Sequence, residues 1–405
     1  MVEHAAAPPG LVLAFNAGSS SIKLALHALA DAREVARGTL ELGKAPPELV
    51  LAGAGRREVL PLAAPVTSSL QEVVEAALHA IDAHPAWGGL AAVAHRIVHG
   101  GRDFLGPVRV DAATLDRIDA LTPLAPLHQP HGVRLMRAVR ALRPALPQTA
   151  SFDTAFHATQ DPVLRRFALP RHLHDEGLVR YGFHGLSYAY LAGELARRAP
   201  ALAAGRVVAL HLGNGASLCG LRAGASVDTS MGFSTLDGVP MGTRCGALDP
   251  GVVLHLLKER GMTVDEVEDL LYHRSGLLGV SGLGADVRGL RAQAAASPAA
   301  AEALELFARR CAGETARLAA SLEGLDALVF TAGIGEHDAA TRAAICDRLG
   351  WLGVALDPAA NARAAHRIDR EGSAVAVFVI PTDEELVIAR EAITLLPSPL
   401  RQDLA

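Results

Sequence analysis

Two segments about half a chain apart repeat one pattern, and this repeat limits the folds open to the chain. In each segment an apolar run is followed by a short polar turn and then by a second apolar run. The first segment comprises residues 11–15, 16–21 and 22–26, and the second comprises residues 206–212, 213–217 and 218–221. Apolar runs flanking a turn rich in glycine, asparagine or serine predict a strand–turn–strand unit. We therefore predict two related halves rather than one large sheet.

Helical patterns lie between and beyond these units. They cover residues 68–84, 112–121, 130–142, 187–198, 298–322 and 384–394. Strands that alternate with helices predict an α/β fold. A proline-containing stretch at residues 144–150 is the expected boundary, which gives one domain over residues 1–150 and a second over residues 151–385. The terminal helix at residues 386–405 is expected to pack back on the first domain.

Composition excludes several classes of partner. The chain has 405 residues, a net charge of −5 and mixed acidic and basic residues, without a basic arm. We therefore expect no nucleic acid as a partner. Its apolar runs are too short for a membrane-spanning helix. Four cysteines without CxxC pairs are expected to be reduced thiols. The first ten residues lack a signal-peptide pattern, so we expect a disordered lead-in and a cytoplasmic protein.

Three glycine-rich turns follow predicted strands, at residues 16–21, 213–217 and 331–335, the last leading into a helix. Successive backbone N–H groups in such turns can bind an anion, although a single turn is more often structural. Three of them favour a nucleotide with several phosphates. The nearest P-loop match, residues 38–44, fails because Ala45 stands where a Mg²⁺-binding hydroxyl is required. A dinucleotide fingerprint fails because Val287 stands at its third glycine position.

Three charged residues stand in unusual surroundings. Arg96 lies in an apolar, strand-like run, where it should meet either a bound anion or an internal carboxylate. Asp153 lies at a predicted strand end, where it serves either catalysis or a local turn. Arg244 lies in a loop between glycines, where it is either part of a functional site or an ordinary solvated arginine. His128, His184 and His211 lie near turn-forming residues, without the spacing of a zinc site.

Together these motifs resemble the acetate kinase family. The resemblance is collinear over residues 11–393, through residues 15–23, 95–101, 181–185, 211–215, 226–250, 330–336 and 381–386. It implies an α/β fold of duplicated domains like those of actin, hexokinase and the Hsp70 ATPase (ribonuclease H-like), with ATP in an interdomain cleft. It also implies a homodimer that reversibly transfers a phosphoryl group from ATP to a short-chain carboxylate, giving an acyl phosphate and ADP.

The resemblance also implies roles for individual residues. Asn16 and Glu384 match the positions that organise Mg²⁺, with Mn²⁺ as an alternative ion. Asp153 matches an active-site carboxylate, and His184 and Arg244 match groups that stabilise the transition state. The residues matching carboxylate-binding positions are Arg96, Val98, Leu127, His128 and Phe183. Those matching nucleotide-binding positions are Lys23, His211, Leu212, Gly213, Asn214, Gly215, Asp286, Val287, Arg288, Gly333, Ile334, Gly335, Glu336 and His337.

Some positions depart from the family pattern without removing a charged catalytic residue. They are Ser234, Thr235, Cys245, Ala247, Gly284, Ala285 and His337. Thr235 replaces a proline near the expected acyl pocket and leaves the chain-length preference open. Acetate is the leading substrate, and propionate or butyrate is the alternative. A protein of another class, an actin-like or Hsp70-like ATPase, would not need Arg96, His184 and Arg244 directed at a small carboxylate.

Overall fold

The computed structural model describes residues 10–18, 21–41, 47–53, 56–62, 69–84, 87 and 89–397. Parts of several predictions lie outside the described residues. They are the lead-in at residues 1–9, Ser19 and Ser20 in the first turn, residues 42–44 of the rejected P-loop match and the Ala45 that follows it, Ser68, and residues 398–405 of the predicted terminal helix.

The chain forms two compact units. Within the described residues, the first unit combines Met1–Ala155 with Asp383–Ala405, and the second is Phe156–Thr382. The sequence-based domain boundaries at residues 150 and 385 stay predictions of domain organisation. No helix in the described ranges is both long and apolar enough to cross a membrane.

The strands are β1 Leu11–Ala17, β2 Ser21–Ala28, β3 Glu34–Glu41, β4 Glu48–Gly53, β5 Arg56–Pro61, β6 Leu90–Ile97, β7 Val108–Arg109, β8 Gln148–Phe152, β9 Arg206–Leu212, β10 Ala216–Arg222, β11 Ala225–Thr229, β12 Ala327–Thr331 and β13 Ala376–Val379. All five strands predicted around the glycine-rich turns are present. The two strand–turn–strand units form the antiparallel pairs β1–β2 and β9–β10.

The helices are α1 Leu70–Asp82, α2 Ala112–Asp119, α3 Gln129–Leu142, α4 Arg171–Asp175, α5 Gly185–Arg198, α6 Pro200–Ala203, α7 Pro250–Lys258, α8 Val264–His273, α9 Gly276–Ser281, α10 Val287–Gln293, α11 Pro298–Leu322, α12 Ala332–His337, α13 Ala339–Asp347, α14 Pro358–Ala362 and α15 Glu384–Leu395. Helix α15 begins as its sequence predicts, because the Asp383 side chain accepts a hydrogen bond from the Leu386 amide. An aspartate at this position satisfies an N–H group that the helix leaves without a partner.

The two sheets repeat one strand order. The first unit has the order β5-β4-β3-β2-β1-β6-β8-β7, and the second has β11-β10-β9-β12-β13. In each unit three successive antiparallel strands lie beside two strands that run parallel to the first of them, and in the first unit β4 and β5 extend the antiparallel part. The segment β3-β2-β1-β6-β8 therefore has the topology of the complete second sheet. This repeat confirms the prediction of two related halves.

Each sheet is anchored by its own apolar core. In the first unit, alternate residues of β1 and β2 pack with α1 and with Leu135 and Val139 of α3. In the second unit, residues of β9, β10 and β12 pack against Tyr188, Leu191 and Leu195 of α5. Such burial contributes about 25 cal/mol per Å² of apolar surface, so it fixes the strands on which the polar side chains of the site are carried.

Candidate active site

Polar residues from three parallel strands meet at one edge of the first sheet. Asn16 lies near the end of β1, Arg96 near the end of β6, and Asp153 directly after β8. Strand β6 is parallel to both β1 and β8, and the Asp153 amide donates to the Ile97 carbonyl. Carboxyl ends of parallel strands are where α/β proteins commonly build their sites.

Arg96 and Asp153 form an ion pair in which the carboxylate is buried and the arginine is partly buried. Arg96 Nε and Nη2 lie 3.1 Å and 2.6 Å from Asp153 Oδ1 and Oδ2, and the Asp153 carboxylate is only 1% exposed. Arg96 Nη1 donates to Asn16 Oδ1 at 2.9 Å. Burial alone would lower the pKa of Arg96, but attraction from Asp153 and Glu384 outweighs burial and raises this pKa. The internal carboxylate considered from the sequence is thus present.

Helix α15 adds acidic groups to this cluster. Asn16 Nδ2 donates to Glu384 Oε2 at 2.9 Å and to Glu385 Oε1 at 3.1 Å, and Glu384 Oε2 lies 3.9 Å from Arg96 Nε. The resulting donor set consists of carboxylate and amide oxygens, which suit Mg²⁺. No group of three or more His, Cys, Asp or Glu residues that could hold a metal occurs within the described residues. One or two carboxylates fit an ion that keeps most of its waters or binds phosphate oxygens.

The other predicted residues of the first unit lie near these strand ends in sequence or in register. Lys23 is the register partner of Asn16 in the β1–β2 pair and is exposed. Val98 follows β6, and Leu127 and His128 form the turn that precedes α3. The sequence gives no signal for Gln129, which joins these two segments.

Gln129 is a buried residue that fixes the loop after β6. Its side chain accepts from the His99 amide at 3.1 Å and donates to the His99 and Ile118 carbonyls at 3.0 Å and 3.1 Å. Because every polar atom of the amide group has a partner, the loop and the start of α3 are held together. Val98 and His128 are each one residue away from this junction.

In the second unit, the predicted histidines form a stacked pair. The rings of His184 and His211 have centroids 4.2 Å apart and planes inclined by 16°. His184 Nδ1 lies 2.8 Å from Ser217 Oγ, and His211 Nδ1 lies 2.9 Å from Ser187 Oγ. His184 itself has a left-handed backbone with φ of 57°, a conformation that costs free energy and often marks a functional site.

His184 and Arg244 converge on the second glycine-rich turn. A β-carbon placed on Gly215 would lie 3.5 Å from His184 Nε2 and 3.7 Å from Arg244 Nη1. Arg244 Nη1 also donates weakly to the Thr235 carbonyl at 3.5 Å, and the side chain is half-buried rather than solvated. Burial lowers the pKa of Arg244. The turn therefore has a hydrogen-bonding imidazole and a guanidinium on one side.

The loop that carries Arg244 is fastened by the start of α9. The Leu277 amide donates to the Met241 carbonyl at 2.9 Å, and the Leu278 amide donates to the Gly242 carbonyl at 3.0 Å. This close approach depends on Gly276, which has φ of +61° and would place a β-carbon 2.1 Å from the Met241 oxygen. The requirement for glycine here is invisible in the sequence, because Gly276 belongs to no motif.

Replacing Gly276 with alanine is expected to displace the Arg244 loop, so that both stability and kcat fall. Gly282→Ala is a matched control, since Gly282 has φ of +65° but nothing within 4 Å of its β-carbon position. Backbone strain of about 1 kcal/mol is common to both variants, whereas the overlap in Gly276→Ala costs about 1–3 kcal/mol more. Chemical denaturation and steady-state kinetics measure the difference. Equal stability and equal kcat in the two variants would contradict this account.

A cavity of about 640 Å³ lies beside the glycine-rich turn, within the second unit. Its lining comprises Gly213, Asn214, Ala285, Asp286, Val287, Arg288, Arg291, Ala292, Gly333, Ile334, His337 and Asp338. Three predicted nucleotide-binding segments thus meet around one space. His211, Leu212, Gly215, Gly335 and Glu336 do not line it. Ala285, Arg291, Ala292 and Asp338 line it but were absent from the sequence-based set.

Two contacts stabilise the segments that carry the lining residues of this cavity. Asp338 accepts hydrogen bonds from Arg291 at 2.7 Å and from the amides of Ala340 and Thr341, which joins α10 to the start of α13. Glu336 Oε1 accepts from the Ala332 amide at 2.8 Å, and Ala332 has a left-handed φ of 64°. Glu336 therefore stabilises the strained entry into α12 within its own segment.

Comparisons with known proteins agree with one another over nearly the whole chain. A sequence model of the Acetokinase family matches residues 11–390. An acetate kinase of Rhodopseudomonas palustris (strain ATCC BAA-98 / CGA009) is 49% identical over 388 residues, which cover 94% of this chain and 97% of that protein. A propionate kinase from Francisella tularensis subsp. tularensis SCHU S4 has a TM-score of 0.89 at 35% identity, covering 96% of this chain and all of that one.

A Porphyromonas gingivalis acetate kinase is also similar in structure, with a TM-score of 0.85 at 32% identity and coverage of 96% of this chain and 100% of that one. The protein thus has the two-sheet α/β fold that these kinases share. It belongs to the acetokinase family.

Proposed function

We propose that this chain is an acetate kinase that reversibly transfers the terminal phosphoryl group of ATP to a carboxylate oxygen of acetate. The bond from the phosphorus to the β,γ-bridging oxygen breaks as the bond to acetate forms. The products are acetyl phosphate and ADP. A carboxylate is already ionised at neutral pH, so the reaction needs no strong general base. It needs groups that hold anions and stabilise charge on the transferred phosphoryl.

The observation that carries this proposal is the convergence of His184 Nε2 and Arg244 Nη1 on Gly215. A guanidinium group and an imidazole donor at a glycine-rich turn can stabilise the negative charge on a phosphoryl group during transfer. Gly213 and Asn214 of the same turn line the cavity. A nucleotide in that cavity would therefore have its phosphates next to the turn that His184 and Arg244 approach.

For the nucleotide, we propose that residues 286–288 and 333–337 bind adenosine and that residues 211–215 bind phosphates, together with Lys23. The cavity volume of about 640 Å³ lies within the usual range of roughly 300–1,000 Å³ for small-ligand sites. Leu212 and Gly335 are buried in β9 and α12, so they would contribute through the backbone or through packing.

For the carboxylate, we propose Arg96 as the main contact, with Val98, Leu127, His128 and Phe183 completing the pocket. The guanidinium of Arg96 is held on one side by Asp153 and Asn16, and its side chain is 19% exposed. A positioned arginine matches the planar geometry of a carboxylate. Asp153 would then act by orienting Arg96 rather than by removing a proton, since its oxygens accept three hydrogen bonds from that guanidinium.

We further propose that Asn16 and Glu384 help to hold Mg²⁺, or Mn²⁺ in its place. When bound, such an ion neutralises phosphate charge and orients the nucleotide. Asn16 would contribute its amide oxygen and Glu384 its carboxylate, and the contact between their side chains keeps these donors adjacent. Chelation by EDTA should abolish activity and either ion should restore it.

We also infer a homodimer that works in the cytoplasm. The dimer follows from the family resemblance, and light scattering of the purified protein tests it. The cysteines Cys219, Cys245, Cys311 and Cys346 are free thiols, as suits a reducing compartment. Fractionation of the source cells would test the location.

Trapping of acyl phosphates with hydroxylamine tests the proposed activity. The protein is incubated with Mg-ATP and, in parallel, with formate, acetate, propionate or butyrate. We expect the highest kcat/KM with acetate. Propionate is the second candidate, because the similar Francisella protein is a propionate kinase and Thr235 stands where the family pattern has proline. Release of phosphate from ATP without any trapped product would contradict the proposal.

A further inference from the structure

Ser217 and Tyr188 form a buried hydroxyl chain behind His184. His184 Nδ1 lies 2.8 Å from Ser217 Oγ, and Ser217 Oγ lies 2.5 Å from the Tyr188 hydroxyl. Both Ser217 and Tyr188 are completely buried, each with 0% exposure. Ser217 lies in β10 and Tyr188 in α5, so two elements of the second unit hold this chain in place.

The donor and the acceptor of each hydrogen bond in this hydroxyl chain can be assigned by starting from Tyr188. A phenol is a stronger acid than an aliphatic alcohol, so the Tyr188 hydroxyl is the better donor in its contact with Ser217 Oγ. Burial dominates and raises the pKa of Tyr188 well above its ordinary value, so Tyr188 stays protonated. The protonated Tyr188 hydroxyl therefore donates to Ser217 Oγ, which lies 2.5 Å away.

The assignment continues to the histidine. In the described part of the chain, the Ser217 hydroxyl has two polar partners, Tyr188 and His184 Nδ1. Because it accepts from Tyr188, its single proton is directed to His184 Nδ1. An imidazole nitrogen that accepts a hydrogen bond carries no proton, so the proton of a neutral ring lies on the other nitrogen. In His184 this other nitrogen is Nε2, the atom that approaches Gly215.

We propose that Ser217 and Tyr188 are positioning residues that hold His184 in its Nε2–H form, with this N–H directed at the transferred phosphoryl group. This inference rests on the proposed function only for the identity of the group that receives the hydrogen bond. With the other tautomer, an Nε2 lone pair would face the negative charge and repel it. The Ser217–Tyr188 chain therefore makes the Nε2–H group of His184 a fixed donor that needs no reorientation during transfer.

The backbone around His184 supports the same orientation. His157 Nε2 donates to the Phe183 carbonyl at 2.9 Å, and the rings of His184 and His211 are stacked. Ring rotation about the side-chain bonds would break both the stack and the bond to Ser217. The histidine is thus fixed from the backbone, from one face and at Nδ1.

Nitrogen NMR of the full-length protein with ¹⁵N-labelled histidine tests the tautomer without substrate or turnover. The signal of His184 is identified by its loss in His184→Gln. We expect the chemical shifts of a neutral ring with its proton on Nε2. A proton on Nδ1 would overturn the inference even if the enzyme makes acetyl phosphate, so this result is independent of the proposed function.

Kinetics test the consequence for catalysis. We expect Ser217→Ala to lower kcat about 10- to 100-fold, the usual effect of losing a group that orients a ligating or catalytic side chain, with the KM for ATP nearly unchanged. Ser217→Thr keeps the hydroxyl and should restore most of kcat. Tyr188→Phe should have a smaller effect, because Ser217 can still donate to Nδ1. Wild-type kcat in Ser217→Ala, or no recovery in a folded Ser217→Thr, would contradict the role.

Discussion

Arg96→Ala is expected to lower kcat/KM for acetate by at least about 30-fold, because truncating one member of a largely buried charge pair costs about 2–5 kcal/mol and 1.36 kcal/mol is tenfold in rate. The KM for ATP should change little, since the cavity proposed for the nucleotide is lined by other residues. The variant loses the carboxylate contact and also leaves Asp153, which is 1% exposed, without its partner. Initial rates of acyl phosphate formation at varied acetate measure the loss.

Two further variants separate the role of Arg96 from general charge effects. Arg137→Ala removes an arginine from an exposed ion pair with Asp119 at 2.7 Å in the same unit, and should leave the rates within about twofold. Arg96→Lys keeps the charge but loses the guanidinium that makes several hydrogen bonds to Asp153, so we expect an intermediate loss of kcat/KM. Thermal unfolding checks that each variant is folded. Acetyl phosphate formation by a folded Arg96→Ala near the wild-type rate would exclude Arg96 as the carboxylate contact.

Arg244→Gln should lower kcat by about 10³-fold, within the range that a charge-stabilising arginine contributes to phosphoryl transfer. Glutamine keeps a hydrogen-bonding group on a shorter side chain but removes the positive charge. We expect the dissociation constant of ATP, measured by calorimetry, to stay within about threefold, because the arginine is required mainly where transition-state charge develops. A fall in kcat with intact binding would place the contribution of Arg244 in the transfer step.

Arg274→Ala provides the control in the second unit. Arg274 forms an ion pair with Asp269 at 2.6 Å, and both side chains are about half exposed. Its removal should change kcat by less than about twofold, as is usual for exposed ion pairs. If Arg244→Gln raised the dissociation constant of ATP by about 10³-fold and left kcat unchanged, Arg244 would be a ground-state contact rather than a stabiliser of the transition state.

The strands around the glycine-rich turns were predictable because their signal is local. Apolar runs such as residues 206–212 lie next to glycine and asparagine, whose turn preferences act over a few residues. Helix α11 begins at Pro298 after the cap Ser297 and ends at Leu322, as its pattern predicts. Each of these features depends on neighbours in the sequence and needs no knowledge of the rest of the fold.

The contacts within the site were not predictable in this way. Asn16 and Glu384 are 368 residues apart and meet because α15 packs on the first sheet. From composition and spacing, Arg96 could pair with either a bound anion or an internal carboxylate. Only the register of β6 with β8 identifies Asp153 as the carboxylate. Ser217 was predicted to lie in the turn at residues 213–217 but belongs to β10, and its partner Tyr188 lies on a helix. The resemblance to a family supplied expected roles, whereas the pairings require the folded chain.

In the proposed reaction, phosphoryl passes from ATP to acetate without a phosphorylated enzyme. ATP made chiral at the γ-phosphorus by oxygen isotopes, followed by determination of the configuration of the acetyl phosphate, tests this transfer. A single in-line displacement inverts the configuration at phosphorus, and we predict net inversion. Net retention would require two displacements through a phosphorylated enzyme and would contradict the account.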